Sequence, residues 1–297
     1  MRRHRWFACL TFGLAVFASN TGAAPVDGRI EPIYGGPLSI QTTQTSLGDG
    51  ADFFASELDQ AFSYVADDTL FLLIAGNYRR FMSEPLSFPN QLQLYIDSGP
   101  GGQNPLSSSN PNVGFSVSLQ QMTGMQFDDD FSPDYWFAAA RESFDGLYVH
   151  YAELLSGGGG AGQYLGRSTL GGSPTLVGGL NLIGVLANAD VSNTAGVTAG
   201  CNASSGAGVT TGVELAIPLA AIGNPSGAIR ICALLAPGFA PGDVSNQVLG
   251  PLPPGTCALG PASGVDFGNL AGAQYFSVGV VTAAAKTSWG RLKALYR

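Results

Sequence analysis

Hydrophobic positions in this chain recur in short runs with a period of two, and none keeps a helical period beyond about two turns. Leu92, Leu94 and Ile96 fall on one face of a strand, and Gln93, Tyr95 and Asp97 fall on the other. Thr69–Ala75 is almost wholly apolar, as suits a central strand buried on both faces, and Asp67-Asp68 joins it to Ala61–Ala66 as a hairpin turn. Further strands are expected at Gly114–Leu119, Asp134–Ala140, Leu147–Leu154, Gln163–Leu165, Leu180–Leu186, Val209–Ile217, Ile229–Leu235 and Gln274–Val281. Pro218 has no N–H for a ladder and must end its strand, which leaves Leu219–Ile222 one helical turn before Gly223. The pattern predicts an all-β protein: one antiparallel β-sandwich, jelly-roll-like, of ten to twelve short strands with only short helical turns, spanning residues 25–281.

Composition agrees with that pattern. The 297 residues include 42 Gly and 18 Pro, which favours turns over long helices. Hydrophobic residues make up 45%, enough for a sizeable core, whereas charged residues make up only 11%. Six Arg and no Lys occur between residues 25 and 285. A surface so short of cations cannot neutralise phosphates, so nucleic acid is excluded as a partner.

Residues 1–24 read as a secretory signal peptide, with a basic start, an apolar run from Trp6 to Ala18 and small residues before a cut placed after Ala23. No later segment is apolar for long enough to span a bilayer as a helix. The expected location is therefore secreted, at the cell surface, or periplasmic. Residues 282–297 form a basic tail in which Trp289, Leu292 and Tyr296 make an amphipathic stripe, expected to dock weakly on the envelope. Cys232 sits in the apolar run Ile231–Leu235 and reads as a small buried hydrophobe. That leaves Cys201 and Cys257, both in Gly-rich loop sequence, to form a disulfide in an oxidising compartment.

The strand texts DDTLFLLIAGN (67–77), LQLYIDSGPGGQN (92–104), MTGMQFDDDFSPDYWFAAA (122–140), YVHYAELL (148–155), TGVELAIPLAAIG (211–223), SNQVLGPLP (245–253) and VDFGNLAGAQYFSV (265–278) together resemble secreted bacterial proteins of the exosortase-sorted, PEP-CTERM type. Tyr95-Ile96-Asp97 and Glu214-Leu215-Ala216-Ile217-Pro218-Leu219 are similar to strands of family-nine carbohydrate-binding modules and DOMON-like sandwiches. The resemblance implies an extracellular sandwich with a glycan among its possible ligands. The group's sorting signal, Pro-Glu-Pro before an apolar span and a basic end, does not occur in this sequence.

Candidate chemistry is limited by what the chain lacks. His150 is the only His after the leader, no Gly-x-Ser-x-Gly elbow occurs, and no Lys precedes residue 286. Asp128, Asp129, Asp130 and Asp134 are candidate oxygen ligands for structural Ca²⁺, and Asp97 and Asn104 form a second candidate set. The Asp128–Asp134 carboxylates are also the one place where a polysaccharide hydrolase could find its acid and base. Trp136, Tyr135, Tyr95 and Tyr148 are candidate stacking residues for sugar rings. The expectation is a non-enzymatic binding or structural protein that takes a glycan or a cell-surface protein and is stabilised by calcium. Its alternatives are a polysaccharide-active hydrolase and a structural envelope or matrix component.

Overall fold

The computed structural model describes residues 24–49, 55–78, 89–193 and 198–279. Residues 1–23, read above as a signal peptide, and the basic tail lie outside the described residues. In chain order the strands are β1 (Ser39–Ile40), β2 (Ser56–Ala66), β3 (Thr69–Tyr78), β4 (Gln91–Asp97), β5 (Tyr135–Ala140), β6 (Gly146–Glu153), β7 (Gly162–Thr169), β8 (Val177–Gly178), β9 (Leu186–Ala189), β10 (Gly212–Pro218), β11 (Ile229–Ala236), β12 (Asp243–Val244), β13 (Gly260–Pro261) and β14 (Phe276–Val278). The only helices among the described residues are 3₁₀ turns of three or four residues.

Two antiparallel sheets make the body of the molecule, one ordered β1-β2-β3-β10-β9 and the other β14-β11-β4-β5-β6-β7-β8. Their facing residues form the main core. Leu70, Leu72, Ile74, Val213, Leu215 and Ile217 come from the first sheet, and Leu92, Leu94, Ile96, Phe137, Ala139 and Leu235 from the second. The period-two expectation for β4 holds in this register, because its odd residues Gln93 and Tyr95 point away from that core yet are also fully buried.

That second burial comes from a layer of loops. Leu106, Val117, Leu119, Met122, Met125, Phe127, Phe131, Val248, Val265 and Phe267 cover Tyr95, Trp136, Cys232 and Leu234 on the outer face of the seven-stranded sheet. Another segment covers the outer face of the five-stranded sheet, where Val26 and Tyr34 pack on Phe62, Phe71, Leu73 and Ala216. Glu214 is sealed beneath it and accepts the backbone N–H groups of Asp27 and Gly28 at 2.8 Å each, and the Tyr34 hydroxyl.

Two expected strands take other forms. Gly114–Leu119 makes a tight Gly114–Ser118 bridge and then a 3₁₀ turn over Leu119–Met122. Positive φ at Gly114 turns the chain where a strand would have run straight. Leu180–Leu186 is a turn with Leu180 and Leu182 exposed, and pairing begins only at Leu186. Gly184, at φ +73, breaks the extended path there. Cys201 and Cys257 are disulfide-bonded with Cα atoms 4.7 Å apart, and Cys232 is a buried free thiol.

Candidate functional site

The four rings expected to meet a ligand occupy four different environments. Trp136 is fully buried, and its Nε1–H donates to Gln93 Oε1 at 2.6 Å. The Tyr95 hydroxyl, also buried, donates to the same oxygen at 3.1 Å. Neither offers an open ring face, because the loop layer that covers their side of the sheet comes from segments distant in sequence. Tyr135 is half-buried against the inter-sheet core, 6.2 Å from Tyr151. Tyr148 alone of the four is partly exposed on the outer face of the sheet.

That surface is the outer face of β6 and β7. Tyr148 and Tyr164 lie side by side, centroids 6.3 Å apart and planes 21° apart. Phe115, 51% exposed on the neighbouring loop, stands 6.2 Å from Tyr148 and lengthens the strip to three rings. His150 packs 5.0 Å from Tyr164, and burial lowers its pKa to about 4, so the imidazole is neutral. Arg167 stands opposite Tyr148 in the β6–β7 ladder, hydrogen-bonds its side chain, and lies 3.8 Å from Asp145. Burial pushes the Glu142 carboxyl up to about 9, so it stays protonated at neutral pH, and its Oε1 is buried without a hydrogen-bond partner. The arrangement presents ring faces edged by a guanidinium, with the largely buried Glu142 near enough to act electrostatically on Tyr164. Pyranose rings use the same combination, with C–H groups on an aromatic face and hydroxyls on polar neighbours.

Tyr164, Phe115, Arg167 and Glu142 were not among the sequence-derived candidates. Alternation along Tyr148-Val149-His150 gave the face of β6. The face of β7 depends on a register shift between Val149 and His150 that no local pattern announces.

The acidic candidates are tied into local structure. Asp97 Oδ2 accepts Ser132 N–H at 3.1 Å and pairs with Arg230 at 2.7 Å. Asp134 Oδ2 accepts the N–H groups of Ser98 and Gly99 at 3.0 Å each. Asp128 Oδ2 accepts Gln274 N–H at 2.9 Å. Asp130 accepts the Tyr275 hydroxyl at 2.7 Å and lies 3.5 Å from Arg230, while Asp129 is exposed. Asn104 is a backbone clamp: its Oδ1 accepts Phe127 N–H, and its Nδ2 donates to the carbonyls of Phe127 and Asp128. Burial raises Asp97, Asp128 and Asp134 above the ordinary carboxylate range, opposed by the backbone amides they accept. Arg230 thus organises this loop pair. No cluster of three or more His, Cys, Asp or Glu side chains suited to a metal ion occurs among the described residues.

Among the described residues no helix is long and apolar enough to cross a membrane. Comparison with known proteins returns no matching family model, no curated relative and no similar solved structure.

Proposed function

We propose that this protein is a non-enzymatic binding module of the secreted or cell-surface kind that takes a glycan on the Phe115–Tyr148–Tyr164 strip. The observation that carries the reading is the pair of near-parallel tyrosine rings, 6.3 Å apart, extended by the exposed Phe115 on the outer face of β6 and β7. Sugars need such rings at the surface, and an unliganded fold gains little by leaving a large aromatic half in water. The Cys201–Cys257 bridge supports an oxidising compartment. The shortage of Lys and Arg suits a neutral or cationic ligand over a polyanion.

Affinity electrophoresis through a panel of neutral polysaccharides tests the reading. Tyr148→Ala and Tyr164→Ala should each weaken binding about tenfold, roughly 1.4 kcal/mol for one lost stacking face. Tyr135→Phe, remote from the strip, should bind like the parent. A parent protein retarded by no glycan, or alanine variants retarded as strongly as the parent, would reject the glycan role.

A further inference from the structure

A second polar site lies on the five-stranded sheet, on β2. Glu57 and Asp59 are both buried, at 9% and 3% exposure, and line a pocket of about 510 Å³. The rest of the described lining includes Ser192, Ser205, Thr210 and Thr211, and it carries no Lys, Arg or His. The two carboxyls, two positions apart and so on one face of the strand, hydrogen-bond each other. Asp59 still has one oxygen, Oδ2, that is buried and unpartnered. An independent orphan stands beside the pair: Asn77, 1% exposed, is the partner of Glu57 across the β2–β3 ladder, and its Oδ1 is buried and accepts nothing. Directly paired side chains on one face lie about 5 Å apart at Cβ.

Buried acceptors without donors each cost about as much as a lost hydrogen bond, and these two belong to different residue types on adjacent strands. Every side-chain group named here offers oxygen, and none offers sulfur or imidazole nitrogen. Hard divalent cations satisfy several such oxygens at once, and neutral amide and hydroxyl oxygens count among their ligands. We propose that Glu57 and Asp59 hold a hard divalent cation of the calcium class in this pocket, with the orphaned amide oxygen of Asn77, the cross-strand partner of Glu57, as a third ligand drawn to it. Entry of the cation displaces any proton held between the two carboxyls, and that proton passes to solvent. The site is separate from the aromatic strip and from the Asp128–Asp134 loop.

Equilibrium dialysis and thermal melts of the full chain, stripped with chelator and titrated with CaCl₂, test this site. The expected Kd is roughly 0.1–1 mM, the range of extracellular oxygen sites. Glu57→Gln and Asp59→Asn, which keep shape and remove charge, should each weaken calcium binding at least tenfold and abolish the calcium-dependent rise in Tm. Asp128→Asn should retain both. Should Asp59→Asn fail to fold, Glu57→Gln alone decides the matter. The proposal is overturned if the parent shows neither uptake nor a Tm shift at millimolar calcium, or if the folded Glu57 or Asp59 variants bind calcium as the parent does.

Discussion

Glu214 is a fully buried carboxylate with no ion-pair partner among the described Arg residues. Burial raises its pKa, and the Tyr34 hydroxyl with the backbone N–H groups of Asp27 and Gly28 pull it back down. Those three donors tie the N-terminal segment across the outer face of the five-stranded sheet. Glu214→Ala would leave them buried and unpaired, and should cost about 3 kcal/mol in urea unfolding. Glu214→Gln keeps an acceptor for the two amides and should cost less than half as much. A loss under about 1 kcal/mol for the alanine variant would mean that the segment is held by packing alone. The alternation in Val213–Ile217 places Glu214 opposite the apolar face of its strand. That this face is roofed by residues some 186 positions earlier is a long-range fact with no local signature. Trp136 repeats the lesson: its face was legible from Tyr135–Phe137, but its burial depends on loops around Phe127 and Phe267.

Elements whose ends are written in backbone chemistry were legible, and elements defined by tertiary pairing were not. The β2–β3 hairpin is closed by Asp67 and Asp68 at φ 47° and 55°, the left-handed pair that a type I′ turn requires. Asp at both positions tolerates that region less well than Gly, so Asp68→Gly should stabilise the protein by about 0.5–1 kcal/mol. A denaturation midpoint below that of the parent would mean that the Asp68 side chain does more than occupy the turn. Pro218 ends β10 as its missing N–H demands, and the following turn closes on Gly223 at φ 79°. By contrast, the start of β2 at Ser56–Gln60 gave no clean alternation, because the register shift after Leu58 breaks the period. The shift between Val149 and His150 concealed Tyr164, and the burial of Glu57 and Asp59 depends on the distant segment 205–211 that lines their pocket. Both sites proposed above sit beside a bulge, where periodic reading fails for the same reason that side chains are redirected.

At the scale of the whole molecule, the shortage of cations seen in the composition returns as electrostatics. Four arginines, Arg29, Arg141, Arg167 and Arg230, lie among the described residues. Every described Asp or Glu whose pKa shifts is raised, with burial the largest cause throughout: Glu31 to about 7, Glu142 to about 9, and Glu57, Asp59, Asp97, Asp128, Asp134 and Glu214 in the same direction. The disulfide offsets some of this by joining two loops 56 residues apart, and Cys201→Ser with Cys257→Ser should cost about 2–4 kcal/mol by denaturant titration. A raised carboxyl holds its proton more tightly folded than unfolded. Stability from these groups is therefore greatest at low pH and declines as pH rises from about 4.5 through their raised values. His150 acts in the opposite sense: lowered to about 4, it stays neutral in the fold while the unfolded chain takes up a proton below about pH 6.5, so its contribution falls as pH drops from 6.5 to 4. Four carboxyls raised to about 7–9 outweigh the single His150 limb at every pH above about 4.5, so the calcium-free protein is most stable at the acid end of the range, about pH 4–4.5, and declines steadily toward pH 9. Glu142→Gln should flatten the upper end of that decline, and millimolar calcium should flatten the part due to Glu57 and Asp59. Urea midpoints taken at intervals from pH 4 to 9 would decide the matter. A midpoint that climbs from pH 5 to 8 without calcium would mean that these carboxyls are ionised and solvated in the folded protein, and that the burial which raises them is not maintained in solution.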